Sequence, residues 1–358
     1  MEQINLSRLK KLMKRAEAGE ELTIGFLGGS ITQGSLASDH RNTYAYRVFD
    51  WWKKTFPKAE FHYVNGGIGG TTSQFGVARA VTDVLMYQPD FVAVDFSVND
   101  EPDDFFMETY EGTIRKLLSW DSKPAVVILN NVYYDSGKTA QKQHNTIGDW
   151  YHVPHVSIKE TVYAKMKEGV YTMKELSPDG LHPNDKGHGL VADEIIKLLE
   201  NVKVHMDEAE PEPDFPEPLT QNAYENAMRL TIREISPELN GFKADSEEKN
   251  GHLDFFKNGW IGRKAKDRIT FNVEASCIAI QYKKTIKRPA VKALLILDDD
   301  TDNKIVMDGN FDEDWGDCLY IETILNHGER KKHKVEIVIP DTESENDTPF
   351  YLMSLIIA

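Results

Sequence analysis

A chain of 358 residues, 40% hydrophobic and 28% charged, holds enough apolar material for two ordinary globular domains. Its formal net charge of −16 repels nucleic acid, anionic lipid surfaces and polyanionic substrates, so neutral or cationic ligands suit it better. Two cysteines, Cys277 and Cys318, are too few for a disulfide framework, although a single bridge stays open.

In the first twenty residues Leu6, Leu9, Leu12, Met13 and Ala16 recur at helical spacing, which predicts an amphipathic opening helix. That stretch lacks the uninterrupted apolar region and cleavage site of a signal peptide, and no run is long enough to cross a membrane. The expectation is a cytoplasmic protein with no membrane or nucleic-acid partner.

Short apolar runs at 22–27, 61–65, 90–96, 125–130 and 153–158 then alternate with helix-period segments at 44–56, 75–87, 105–120 and 184–200. Continuously apolar strands separated by helices predict a five-stranded parallel sheet covered on both faces. Right-handed crossovers place the C-terminal ends of all its strands on one rim, where ligands bind in such folds.

The composition changes at 206–218, M-D-E-A-E-P-E-P-D-F-P-E-P, with four prolines, six acids and no base. Stiff and self-repelling, it reads as a spacer between domains. Beyond it, runs of two-residue period at 268–273, 277–282, 293–297, 335–339 and 351–357 predict an antiparallel, jelly-roll-like β-sandwich. The expected organisation is an α/β domain over 1–205, a linker over 206–219 and a sandwich over 220–358.

Four loops on the predicted rim carry polar groups. The first strand ends in Gly28-Gly29-Ser30; the second is followed by N-G-G-I-G-G-T-T-S-Q-F-G from Asn65 to Gly76; the third by D-F-S-V-N-D from Asp95 to Asp100; the last loop reads S-P-D-G-L-H-P-N-D from Ser177 to Asp185. Alone, Ser30 would more often be a helix N-cap than a nucleophile. A serine hydroxyl needs a base, histidine titrates near neutral pH, and its ring needs an acceptor to hold one tautomer. Ser30, His182 and Asp179 meet those needs. The backbone N–H groups of Ser30 and Gly70 and the amide of Asn99 can meet the charge that develops on a substrate oxygen.

These blocks, G-G-S-I-T, N-x-G-x-x-G ending at Gly70, V-N-D around Asn99 and D-G-L-H-P-N, resemble the signature blocks of the SGNH (GDSL-type) hydrolase superfamily over roughly 21–200. The resemblance implies a flavodoxin-like three-layer α/β/α fold and ester hydrolysis without metal or organic cofactor. It assigns Ser30 as nucleophile, Asp179 and His182 as its triad partners, and Gly70 and Asn99 as oxyanion donors. Gly29-Ser30-Ile31 departs from the commoner Gly-Asp-Ser-Leu. The two-domain layout further resembles carbohydrate acetylesterases, in particular the mannan-oligosaccharide acetylesterases of carbohydrate esterase family 17, whose second domain is a carbohydrate-binding-module-like sandwich. An acetylated oligosaccharide is then the expected substrate. A lipase, lysophospholipase or thioesterase of the same fold, or a catalytically silent sugar-binding protein, are the alternatives.

Other motifs fail on detail. Gly29–Gly34 has phosphate-loop spacing, but Ser35-Leu36 replaces the required Lys-Ser/Thr; Thr72 spoils a dinucleotide fingerprint; Gly28–Thr32 misses G-x-S-x-G. Asp298, Asp300 and Asp302 lack the glycine and glutamate of a calcium loop, and His152, His155 and His188 have no metal-ligand spacing. Tyr44 after the nucleophile loop, Asn131 and Tyr133 after the fourth strand, and Trp260 in the sandwich are candidate sugar contacts, each with packing as the alternative; Trp315 is a further loop tryptophan.

Overall fold

The computed structural model describes residues 4–251, 253–341 and 348–358. It divides into two compact units, Met1–Glu225 and Asn226–Ala358.

The first unit runs α1 Ser7–Ala18, β1 Glu21–Gly28, α2 Ser30–Gln33, α3 Tyr44–Thr55, β2 Glu60–Gly67, α4 Ser73–Asp83, β3 Phe91–Asp95, α5 Asp104–Leu118, β4 Ala125–Asn130, α6 Gln141–Trp150, β5 His155–Ser157, α7 Ala164–Lys167, α8 Met173–Leu176 and α9 Asp185–Val204. Its five strands are all parallel, in the order β2-β1-β3-β4-β5. Alternation explains why the strands read as solid apolar runs. Ile24, Phe26, Phe91, Ala93, Val127 and Leu129 face α1, α3 and α9 across one core, whereas Leu27, Val92, Val94, Val126 and Ile128 face α4, α5 and α6 across the other. Chain order reverses at β1, so the loops after β1 and β3 flank a topological switch point, where open α/β sheets bind ligands.

The second unit contains β6 Met228–Leu230, β7 Glu238–Asn240, β8 Lys243–Ala244, β9 Trp260–Gly262, β10 Arg268–Ala275, β11 Ile278–Lys284, β12 Lys292–Leu297, β13 Ile305–Asp308, β14 Cys318–Leu325, β15 Lys331–Val338 and β16 Phe350–Ile357. They form two antiparallel sheets, β13-β12-β15-β10-β7 and β14-β11-β16-β9-β8, with β6 added beside β16. Phe271, Leu295 and Ile337 of one sheet share a core with Ile280, Tyr282 and Leu352 of the other, which makes a sandwich. The five strands that alternation predicted lie in its interior, whereas β13 and β14 are edge strands that bury less and alternate less clearly. Cys277 and Cys318 are both unpaired thiols.

The acidic segment departs from the spacer expected over 206–219. It is strapped to the first unit, and the boundary between units falls after Glu225 rather than at 219. Glu210 accepts the Leu6 N–H at 2.8 Å, Glu212 pairs with Arg8 at 2.7 Å, and Arg115 donates to the Pro216 carbonyl at 2.9 Å. The strap is clasped by buried Glu111, which accepts the Leu219 N–H at 2.6 Å, the Thr220 N–H at 2.8 Å and the Tyr151 hydroxyl at 2.5 Å. Basic side chains of α1 offset part of the repulsion that would otherwise extend the segment. A chain ending after His205 strips Glu111 of its backbone donors and uncovers the apolar surface on which Met206, Phe215 and Tyr224 pack, a cost of several kcal/mol. It is expected to melt more than about 5 °C below a chain ending after Glu225, at about 2–4 °C per kcal/mol for a unit of this size. Equal melting temperatures by calorimetry would show the strap to be dispensable.

Candidate active site

Ser30 is the first residue of α2, directly beyond the end of β1, and is nearly buried. The turn that delivers it demands glycine: a Cβ on Gly28 would lie 2.2 Å from the Thr32 hydroxyl, and one on Gly67 of β2 would lie 2.2 Å from the Gln33 nitrogen. Asn65 fastens the second loop to the first, donating to the Thr32 carbonyl at 2.9 Å while accepting the Gly67 N–H at 2.8 Å. Gln33 accepts the Gly69 N–H at 2.6 Å, which brings the Gly69-Gly70 turn against the Ser30 side chain.

His182 arrives from the opposite end of the unit's sequence, and its Nε2 lies 2.8 Å from Ser30 Oγ. Its Nδ1 lies 2.7 Å from Asp179 Oδ2, so Nδ1 carries the proton and Nε2 presents its lone pair to the serine hydroxyl. The short D-G-L-H spacing works because Asp179 Oδ1 also accepts the N–H groups of Leu181 at 2.9 Å and His182 at 2.8 Å, closing a turn on itself. Gly180 holds that turn with a φ of +83°, and its carbonyl accepts the N–H groups of Tyr134 at 2.7 Å and Asp135 at 3.2 Å. Asn184 then caps α9 immediately behind. Partial burial pushes the Asp179 carboxyl up, but the His182 ring and those two backbone donors outweigh it, and the group sits below the ordinary aspartate value.

Asn99 follows β3 and lies against Gly29, where a Cβ would come within 2.2 Å of its Oδ1. Neither its Nδ2 nor the N–H groups of Ser30 and Gly70 find an acceptor among the described residues. Three donors with no internal partner, beside a hydroxyl bonded to an oriented imidazole, can receive an ester carbonyl and stabilise the oxyanion formed on attack.

Residues 26–190 match the GDSL-like Lipase/Acylhydrolase family. Along nearly its whole length the chain is also similar to a solved two-domain esterase, CEX, active on acetylated mannans. Identity is 49%, covering 99% of this chain and 96% of that one, with a TM-score of 0.96. The same esterase co-crystallized with mannopentaose matches at 49% identity over 99% of this chain and 95% of that one, with a TM-score of 0.95. The chain belongs to the GDSL-like acyl hydrolases. Thioesterase 1/protease 1/lysophospholipase L1 of Escherichia coli (strain K12) is a more distant relative, 28% identical over 200 residues, covering 53% of this chain and 88% of its own.

Three expected sugar contacts of this GDSL-like hydrolase are core residues instead. Tyr44 is fully buried with its hydroxyl 2.8 Å from Thr32 Oγ1, and burial raises that phenol well above its ordinary value. Asn131 is fully buried and donates to Asp95 at 2.7 Å. Trp260 packs edge-on against Phe271 inside the sandwich, at 5.2 Å between ring centroids. Tyr44 and Trp260 open α3 and β9, where their rings gain more in the core than in water, and Asn131 directly follows β4, where its amide is held by Asp95. Tyr133 stays half-exposed, on the loop whose next two N–H groups hold Gly180. Trp315 is also solvent-exposed.

Arg79 is the supporting residue that motif reading missed. Wholly buried in α4, its guanidinium donates to the carbonyls of Gly28 at 2.9 Å and Gly66 at 2.5 Å and pairs with Asp83 at 2.8 Å. It thereby ties the ends of β1 and β2 directly beneath the nucleophile turn, and its planar fork suits two carbonyls on adjacent strands. A lone arginine on an apolar helix, with an aspartate four residues on, was the available signal.

Two outcomes test this geometry. Gly29→Ala forces the Asn99 amide aside, and a displacement near 1 Å costs about 100-fold in turnover. The variant is expected to keep its fold and KM while kcat falls by about that factor, and wild-type kcat would refute the contact. Asp95, pushed up to about 6 by burial against the lowering influence of Asn131 and Ser97, gives the second. Between an unfolded value of about 4 and that folded value, the native state binds more protons, so stability falls as pH rises through the window. In urea titrations, the stability of Asp95→Asn relative to wild type is expected to improve from about pH 4 to about pH 6 and then level off; a constant difference would contradict it.

Proposed function

We propose that this GDSL-like hydrolase is a serine esterase removing acetyl groups from oligosaccharides, with O-acetylated manno-oligosaccharides as its substrates. The observation that carries the reading is the Ser30–His182–Asp179 chain of hydrogen bonds at 2.8 and 2.7 Å, in a fold shared end to end with an esterase active on acetylated mannans. His182 Nε2 takes the Ser30 proton as Oγ attacks the acetyl carbonyl carbon, and Asp179 steadies the imidazolium. The oxyanion is met by the Ser30 and Gly70 N–H groups and by Asn99 Nδ2. Collapse breaks the bond to the sugar oxygen, which takes the proton from His182 and departs as the hydroxyl, leaving acetyl-Ser30. Water, deprotonated by His182, then attacks the acyl-enzyme and releases acetate.

Several features support a short acyl group on a neutral sugar. The formal net charge of −16 disfavours anionic surfaces, and no helix among the described residues is long and apolar enough to cross a membrane. Tyr133 and Trp315 remain as accessible aromatic faces for sugar rings.

Acetate release from acetylated mannan, xylan and chitin oligomers tests substrate and chemistry together. Fastest release from the mannan series is expected, and Ser30→Ala should lower it more than about a thousandfold without loss of fold. Undiminished release by that variant would overturn the mechanism. Nitrophenyl decanoate cleaved faster than nitrophenyl acetate would favour a lipase instead.

A further inference from the structure

Asp100, directly after Asn99, takes no part in these steps, yet its side chain is completely shut off from solvent. One carboxylate oxygen accepts the N–H of Ser73 at 2.8 Å. Ser73 opens α4, three residues beyond Gly70. The other oxygen faces His144 Nε2 at 3.1 Å. That imidazole is itself buried, and the Tyr110 ring stacks on it at 3.6 Å between centroids and 3° from parallel. On the other side of the turn, the N–H groups of Asn99 and Asp100 both donate to the Phe96 carbonyl at 2.9 Å. The Asn99 side chain is therefore launched from a turn whose far end is gripped by Asp100.

The sheet order gives this contact its importance. The Gly70 loop follows β2 and the Asn99 loop follows β3, but β1 lies between those strands, so no ladder hydrogen bond sets one loop against the other. An oxyanion hole works only if its donors are already aimed before charge develops. A buried carboxylate is expensive, and well-packed apolar replacements of buried ionic groups are often neutral or stabilising. A site that keeps such a group without a stability gain is a place to look for function.

We propose that Asp100 is a positioning residue, bridging the loops after β2 and β3 so that the Gly70 N–H and the Asn99 amide address one oxyanion, with His144 and Tyr110 as its rigid backing. The inference rests on the serine-esterase reading above. Asp100→Asn replaces one acceptor by a donor and so sets an N–H against Ser73 or disturbs the bond to His144. Ser73→Pro removes the N–H from the other partner at a first helical position, where proline is well tolerated, and the extended backbone of Thr72 suits a following proline. Ser73→Ala, which keeps the N–H, is the reference for that variant.

Using the full chain and nitrophenyl acetate, Asp100→Asn is expected to lower kcat by about 10- to 100-fold with KM within about threefold of wild type. Ser73→Pro should lower kcat by a similar factor relative to Ser73→Ala. In an Asn99→Ala background the Asp100→Asn loss should shrink, because part of the group it positions is gone. If Asp100→Asn fails to fold, the Ser73 pair decides. Wild-type kcat in Asp100→Asn, equal kcat in the two Ser73 variants, or an undiminished loss in the Asn99→Ala background would each overturn the positioning role. A wild-type chain without Ser30-dependent hydrolysis would remove the esterase reading and this inference with it. An active wild type with an indifferent Asp100 would remove this inference alone.

Discussion

The hydrogen bond between His182 Nε2 and Ser30 Oγ joins residues 152 positions apart, and the rest of the first unit can be read as the means of keeping it at 2.8 Å. Neither side chain could hold that distance alone. Ser30 is delivered by a glycine turn at the end of β1, and His182 by a turn that Asp179 closes on itself before the capped start of α9. A parallel sheet brings the C-terminal ends of its strands to one rim, so segments remote in sequence meet there without a long structureless loop.

That rim is underpinned by polar groups rather than by an apolar plug. Arg79 holds the carbonyls of Gly28 and Gly66, Asn131 and Ser97 hold Asp95, and Asp100 holds Ser73 against His144. Each buried charge costs stability, and each confers direction, since a hydrogen bond fixes an angle that dispersion contacts leave loose. His188 shows the same economy: burial draws its pKa down to about 4, and the neutral ring accepts the Tyr44 N–H while donating to the Ser35 carbonyl. It thereby anchors the loop after the nucleophile to α9.

The acidic strap illustrates how charge sign misleads when read locally. Six acids and four prolines in thirteen residues look self-repelling. Arg8 and Lys11 meet Glu212, Lys10 meets Glu210, Arg115 meets the Pro216 carbonyl, and Glu111 takes up the N–H groups where the segment ends. The stretch is thus part of the first unit's fold, and the stiffness of proline lowers the entropy lost when it docks.

Much of this protein was legible without coordinates. Continuous apolar runs separated by helical periods specified the parallel sheet, because strands buried on both faces leave no polar alternation. The loop chemistry named Ser30, Gly70, Asn99, Asp179 and His182, because short-range demands such as a side-chain-free turn or an Asp-x-x-His closure are written in neighbouring residues. The edge strands β13 and β14 and the polar helix α6 escaped, since each buries little and so shows little pattern. Tyr44, Asn131 and Trp260 are core residues, Arg79 and Asp100 are supports, and only the tertiary structure decided so. Burial and charge pairing are set by whichever distant elements close over a residue, and no local window of sequence contains those partners.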